Sequence, residues 1–219
     1  MIEIKDRVIA LATVDALQMW SDERYIPFLQ MGPTRQTMDH EWFDKFLGQW
    51  NVARTISSDK HEEVRGYLNK VFRLSLKKKS AAVIDLGAAK IADKGWSHAN
   101  KKSGIPSKPV SLVSKIAFFY QPDFYVPMDK FSRKGVNVLR GKIKNLGIGH
   151  HAFPSYESYY NEFELCFAKH KGMLANELKC NWVKGLAKKY GCEPNLIMRD
   201  AFQRKVFDNI LMRLGDRQF

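Results

Sequence analysis

The residues best suited to chemistry in this chain are a lysine inside an apolar segment and an aspartate shortly after it. Residues 111–129 read SLVSKIAFFYQPDFYVPMD, and the periodicity predicts a helix over 110–121. The residues three and four positions from Lys115 on that helix are mostly apolar: Ser111, Leu112, Phe118 and Phe119. A desolvated lysine favours its neutral amine, which is a nucleophile that can form a Schiff base. The alternative is a lysine that buries only its methylene groups and extends its ammonium into water.

Asp129 follows Val126-Pro127-Met128 and precedes KFSRKGVNVL, which is predicted to be a helix. An aspartate at that position is a good N-cap, because its carboxylate accepts hydrogen bonds from the first backbone N–H groups. A carboxylate fixed in this way can also stabilise a developing positive charge or take a proton. The sequence by itself is compatible with both roles.

The elements that position these two residues are predicted to be helical almost throughout, with little strand-like alternation. Asp39 and Ser155 are predicted N-caps, and Val64, Leu68, Val71 and Leu74 are the apolar positions of one helix. We predict a compact, all-α, multi-helix fold. Residues 1–219 form one such domain, or two helical lobes with the site between them near residues 101–135. The predicted helices cover 6–20, 40–54, 58–74, 81–91, 110–121, 130–147, 156–170, 173–190 and 195–214.

The composition indicates a globular protein that attracts polyanions. Lys plus Arg number 36 against 23 for Asp plus Glu, a net charge of +13, and 45% of the residues are hydrophobic. Nucleic acid is the first candidate partner and an anionic membrane surface the second. No stretch reaches the roughly 20 apolar residues of a membrane span, and the N-terminal sequence lacks the features of a secretory signal.

The three cysteines, Cys166, Cys180 and Cys192, are an odd number without a C-x-x-C spacing. This pattern argues against disulfide scaffolding and against an all-cysteine metal site. We therefore expect a cytoplasmic protein without a cofactor or metal.

A lysine in a helix, followed by a short loop, Val-Pro-x-Asp and a new helix, resembles the active-site segment of helix-hairpin-helix DNA glycosylases. The 8-oxoguanine glycosylase branch is the most similar. Ser114-Lys115-Ile116-Ala117 matches the lysine end of that segment, and Val126-Pro127-Met128-Asp129 matches the aspartate end. The lysine-to-aspartate spacing is shorter here, and the Gly-x-Gly hairpin turn expected before the lysine is represented only by Ser103-Gly104-Ile105-Pro106.

The resemblance implies a base excised from double-stranded DNA, damaged or modified, by a glycosylase with β-lyase activity. Lys115 would attack the sugar C1′ and Asp129 would assist. Phe118, Phe119 and Tyr120 would line the pocket for the flipped base. Basic residues on both sides of the segment would contact DNA phosphates: Lys101, Lys102, Lys108, Lys130, Arg133, Lys134, Arg140, Lys142 and Lys144. The resemblance leaves open which base is excised and whether the role is repair or defence against foreign DNA.

Two other interpretations fit the same residues. One is a basic helical module that binds nucleic acid without catalysis, in which Asp129 is only a cap. The other is a protein-interaction subunit whose positive charge meets an acidic partner.

Overall fold

The computed structural model describes residues 4, 6–23, 25, 37–99, 103–141, 153–193 and 195–216. Over these residues the backbone forms helices and two isolated antiparallel bridges, Ile56 with Ser97 and Ala99 with Pro106, but no strand. The predicted all-α class is confirmed at this level. None of the described helices is long and apolar enough to cross a membrane.

The chain divides into two compact units. The terminal unit comprises Met1–Ile26 and Met128–Phe219, and the central unit comprises Pro27–Pro127. The segment between Lys115 and Asp129 crosses this boundary, so the two residues belong to different units.

Most of the described helices of the terminal unit pack around the last of them. The described helices are α1 (Asp6–Trp20), α7 (Lys130–Leu139), α8 (Tyr156–Leu178), α9 (Asn181–Lys189) and α10 (Asp200–Asp216). Helix α10 lies against α7, α1 and α8, and its Phe202, Phe207 and Ile210 are fully buried. Helix α9 packs on α1. The aromatic residues spaced three or four apart on one side of α8 are also buried: Tyr156, Tyr160, Phe163 and Phe167.

Helices α7 and α10 approach each other backbone to backbone. A Cβ atom added at Gly135 of α7 would lie 2.1 Å from the Leu211 carbonyl oxygen of α10. A Cβ atom added at Gly215 of α10 would lie 2.0 Å from the Phe131 carbonyl oxygen of α7. Both positions therefore require glycine, since a side chain would force the two helices apart.

The central unit contains shorter helices with an aromatic core. They are α2 (His40–Gln49), α3 (His61–Tyr67), α4 (Arg73–Ser75), α5 (Ala82–Asp93) and α6 (Val110–Tyr120). Between α3 and α4 lies a π-helical stretch, Leu68–Phe72, and a 3₁₀ turn, Leu76–Lys78, follows α4. Helix α5 packs on α6, where Gly87 lies against the ring of Phe72 and next to Val113.

The π-helical stretch makes one detail of the sequence prediction wrong. Val71 and Leu74, predicted to share an apolar face with Val64 and Leu68, are 59% and 53% exposed. A π-helical turn contains more residues than an α-helical turn. Residues four apart, rather than three apart, therefore stay on one side of the helix here. Phe72 and Leu76 take the two core positions instead, and both are buried.

Helix boundaries follow the local capping signals where such signals exist. Asp39 Oδ1 accepts a hydrogen bond from the Trp42 N–H at 2.7 Å, and Ser155 accepts one from the Ser158 N–H, so both predicted N-caps are confirmed. Ser158 also completes a capping box with Ser155. The predicted helix over 173–190 is wrong in extent, because α8 continues to Leu178 and α9 begins only at Asn181. Cys180, at the break, forms no side-chain cap hydrogen bond, so no residue type marks the break.

Candidate functional site

Lys115 lies in the middle of α6 and is only 7% exposed. Its Nζ donates a hydrogen bond to the Trp50 carbonyl oxygen at 3.0 Å and lies 5.7 Å from the centroid of the Trp50 indole. Trp50 is the C-cap residue of α2, so its carbonyl belongs to a helix end that lacks intrahelical donors. The amine is therefore held in place in the core of the central unit.

The aromatic residues that follow Lys115 on α6 are part of the same core. Phe118, Phe119 and Tyr120 are each at most 1% exposed. The Phe119 ring packs edge-on against Trp42, Phe46 and Trp50, at centroid distances of 6.2, 5.7 and 5.2 Å. These rings fix the orientation of α6 and thereby the position of Lys115.

Tyr120 takes part in a buried polar contact. Its hydroxyl donates to Asn69 Oδ1 at 3.0 Å, and Asn69 also binds both the N–H and the carbonyl of Met38. Burial raises the pKa of Tyr120 well above its ordinary value, so the phenol stays neutral. Asn69 lies in the π-helical stretch, which turns its side chain towards Met38 and Tyr120.

Asp129 is the N-cap of α7 in the terminal unit. Its Oδ1 accepts hydrogen bonds from the N–H groups of Phe131 at 2.8 Å and Ser132 at 2.9 Å. The Ser132 hydroxyl oxygen accepts the Asp129 N–H at 3.0 Å and completes a capping box. The predicted cap is thus confirmed, and the D-x-x-S spacing was a readable signal for Ser132.

A buried polar cluster in the terminal unit lies next to this cap. Tyr159 is fully buried, and the Ser132 hydroxyl hydrogen-bonds to its phenol. Burial, reinforced by the negative charge of Asp208, raises the pKa of Tyr159 well above its ordinary value. Asp208 itself is 1% exposed and pairs with Lys205 Nζ at 2.6 Å. No motif in the sequence pointed to this cluster, because its members come from three helices.

The basic residues predicted to contact DNA phosphates have different surroundings. Lys108 and Lys130 are exposed. Arg133 Nε donates to the Asp129 carbonyl oxygen at 3.1 Å, and Lys134 Nζ lies 5.8 Å from the centroid of the Phe131 ring. Arg140 forms an ion pair with Glu162. Lys101, Lys102, Lys142 and Lys144 lie outside the described residues.

A cavity of about 450 Å³ in the terminal unit adjoins Arg140. It lies at the C-terminal end of α7 along α8, and its lining includes Glu162, Cys166, Lys169 and His170. His170 Nδ1 lies 2.7 Å from the Cys166 carbonyl oxygen, and burial raises the pKa of the Cys166 thiol. A thiol with a raised pKa is a poor nucleophile, so the cavity does not present a reactive cysteine.

All three cysteines are free thiols. Within the described part of the chain, no group of three or more His, Cys, Asp or Glu side chains is placed to hold a metal ion.

Comparison of the chain with protein-family models, with curated proteins and with solved structures found no match.

Proposed function

We propose that the protein binds duplex DNA and excises a damaged or modified base, with Lys115 as the amine nucleophile and Asp129 as the assisting carboxylate. The observation that carries the proposal is the burial of Lys115. A lysine that only covers apolar surface would extend its ammonium into water, whereas this Nζ hydrogen-bonds to a carbonyl oxygen inside the central unit. Burial by itself disfavours the charged form of an amine, whereas the Trp50 carbonyl and ring stabilise that form. The neutral amine is the form that attacks carbon.

The proposed reaction forms a bond between Lys115 Nζ and C1′ of the sugar and breaks the bond between C1′ and the base. The base leaves with a proton, and the sugar ring opens to give a Schiff base. β-Elimination then breaks the strand on the 3′ side of the sugar, and water hydrolyses the Schiff base to release Lys115 as an amine.

Asp129 is assigned the assisting role by the sequence pattern, and its surroundings support a dual use. Both helix N–H groups bind the same oxygen, Oδ1. We assign to Oδ2 the stabilisation of the positive charge that develops on the sugar.

The test is borohydride trapping on a panel of duplexes that carry damaged bases, modified bases or an abasic site. Wild type is compared with Lys115→Gln, which keeps an N–H donor for the Trp50 carbonyl, and with Lys90→Gln as an exposed-lysine control in the same unit. We expect a covalent adduct with wild type and Lys90→Gln, and none with Lys115→Gln. The duplex that is trapped identifies the excised base.

A second variant isolates the charge of Asp129. Asparagine is as good an N-cap as aspartate, so Asp129→Asn keeps α7 intact while removing the carboxylate. We expect normal folding and trapping slowed by about 10²- to 10⁴-fold, the usual contribution of a positioned acid or base. Trapping at the wild-type rate would remove Asp129 from the mechanism.

The alternative function is a nucleic-acid-binding module without catalysis. Its specific support is that both residues already have structural partners: Lys115 binds a carbonyl at the end of α2, and Asp129 caps α7. The same experiment distinguishes the two functions. Salt-dependent DNA binding without an adduct on any duplex would favour the binding module.

A further inference from the structure

One acid-free basic segment of the chain lies in the central unit. Residues 64–84 contain no Asp or Glu, and their basic residues are Arg65, Lys70, Arg73, Lys77, Lys78 and Lys79. The structure adds where these side chains lie and what they contact.

Four of the lysines lie along one exposed surface. We call this surface the lysine stripe and define it as Lys70, Val71, Leu74, Lys77, Lys78 and Lys79, all of them exposed. The first five follow helical spacing, with steps of three or four residues from Lys70 to Leu74 to Lys77 and Lys78. The opposite side, with Leu68, Phe72 and Leu76, is buried. The π-helical stretch thus places Val71 and Leu74 among the lysines.

The charge of the lysine stripe is not neutralised by carboxylates of the described residues. Three lysines elsewhere have acidic partners: Lys45 pairs with Glu41, Lys60 with Glu63 and Lys171 with Asp200. Within the described ranges, no ion pair involves any of the four lysines of the stripe. Lysines at a helix C-terminus also interact favourably with the helix dipole, which accounts for Lys77 and Lys78 but not for Lys70, which lies within the π-helical stretch.

We propose that the lysine stripe is the surface through which the central unit contacts the sugar–phosphate backbone of duplex DNA. Lys70 to Lys78 span about 12 Å at the helical rise, a length that corresponds to three or four phosphates of one strand. The aliphatic side chains between the lysines match the apolar faces of the deoxyribose rings between the phosphates. This inference rests on the DNA-binding part of the proposed function and not on the chemistry of Lys115.

The surroundings of Arg133 and Arg140 make these two residues less available to DNA than the lysine stripe. Arg133 and Arg140, expected from the sequence to bind phosphates, are engaged with the Asp129 carbonyl and with Glu162. Using them for DNA would first require these contacts to break. The lysines of the stripe need not give up an ion pair with a described residue, so phosphate binding costs them less.

The experiment compares two sets of four substitutions with the same change in net charge. The first set is Lys70→Gln, Lys77→Gln, Lys78→Gln and Lys79→Gln. The matched control, on exposed lysines of the terminal unit, is Lys179→Gln, Lys184→Gln, Lys188→Gln and Lys189→Gln. Binding to a fluorescent 20-base-pair duplex is measured by anisotropy over a range of salt concentrations, after circular dichroism has verified folding.

We expect the stripe set to reduce the slope of log K against log salt by about 3, which corresponds to the loss of three to four phosphate contacts. Its affinity at 100 mM salt should fall at least about tenfold. The control set should change the slope by less than about 1. Equal losses for both sets would show that only total charge counts and would overturn the proposal.

Unchanged DNA binding by the stripe set, or no DNA binding by wild type, would also overturn the proposal and favour an acidic protein as the partner of this surface. The lyase chemistry is judged separately. If wild type binds DNA through the lysine stripe but gives no borohydride adduct, the catalytic proposal fails and the proposal that the stripe binds DNA holds. If an adduct forms at saturating protein in both lysine sets, the catalytic proposal holds whatever the stripe does.

Discussion

Replacing Gly135 with alanine is the sharpest test of how the terminal unit holds α7, the helix that Asp129 caps. A Cβ at this position would lie 2.1 Å from the Leu211 carbonyl oxygen and 2.6 Å from the Leu211 Cα. The atoms it meets belong to the backbone of α10, so no side-chain rotation can relieve the overlap. The two helices would have to separate by more than about 1 Å to restore van der Waals distance.

Overpacking of this kind costs about 1–3 kcal/mol, and more when the backbone must move. The better helix propensity of alanine offsets about 1 kcal/mol of that cost. We therefore expect Gly135→Ala, at the upper end of that cost because backbone must move, to reduce the free energy of unfolding by about 2 kcal/mol. The matched control is Gly172→Ala in α8, where a Cβ would meet no atom within 4 Å. Only the better helix propensity of alanine then acts, and we expect Gly172→Ala to increase the free energy of unfolding by about 0.5–1 kcal/mol.

The assay is urea unfolding followed by circular dichroism at 222 nm, with wild type and both variants side by side. The opposite signs of the two effects are the diagnostic result. A loss below about 1 kcal/mol for Gly135→Ala, or equal behaviour of the two variants, would refute the close approach of α7 and α10.

Two further predictions concern the buried polar cluster of the terminal unit. Because burial raises the pKa of Tyr159, the folded state keeps its phenol neutral while the unfolded chain ionises above about pH 10. This stabilisation is complete below pH 10 and is lost as the pH rises. The Tm of Tyr159→Phe should therefore fall less between pH 9 and 11 than the Tm of wild type. Equal falls in Tm would contradict this role of Tyr159. Asp208→Leu should cost about 3–5 kcal/mol in urea unfolding because it removes the carboxylate that pairs with the buried amine of Lys205. Adding Lys205→Met should recover most of that loss, whereas an equally unstable double variant would show that the ion pair is not the cause.

The candidate site was predictable where its interactions are local. The N-cap role of Asp129 depends on N–H groups two and three residues away, and the covered stem of Lys115 depends on helical neighbours. The partner of the Lys115 amine was not predictable. The Trp50 carbonyl is 65 residues away along the chain, and any residue type carries a carbonyl at that position.

The sequence by itself determined the helical class and most helix starts, because capping and periodicity are short-range properties of the chain. It did not determine which residues after Leu68 face the core. The π-helical turn at that place is stabilised by the core contacts of Phe72 and by the hydrogen bonds of Asn69. Tertiary structure also decided which basic residues are engaged: Arg140 has an acidic partner only because α8 brings Glu162 to it. Close contacts such as Gly135 against Leu211 arise only when distant segments meet, and a single sequence does not encode that pairing in any local pattern.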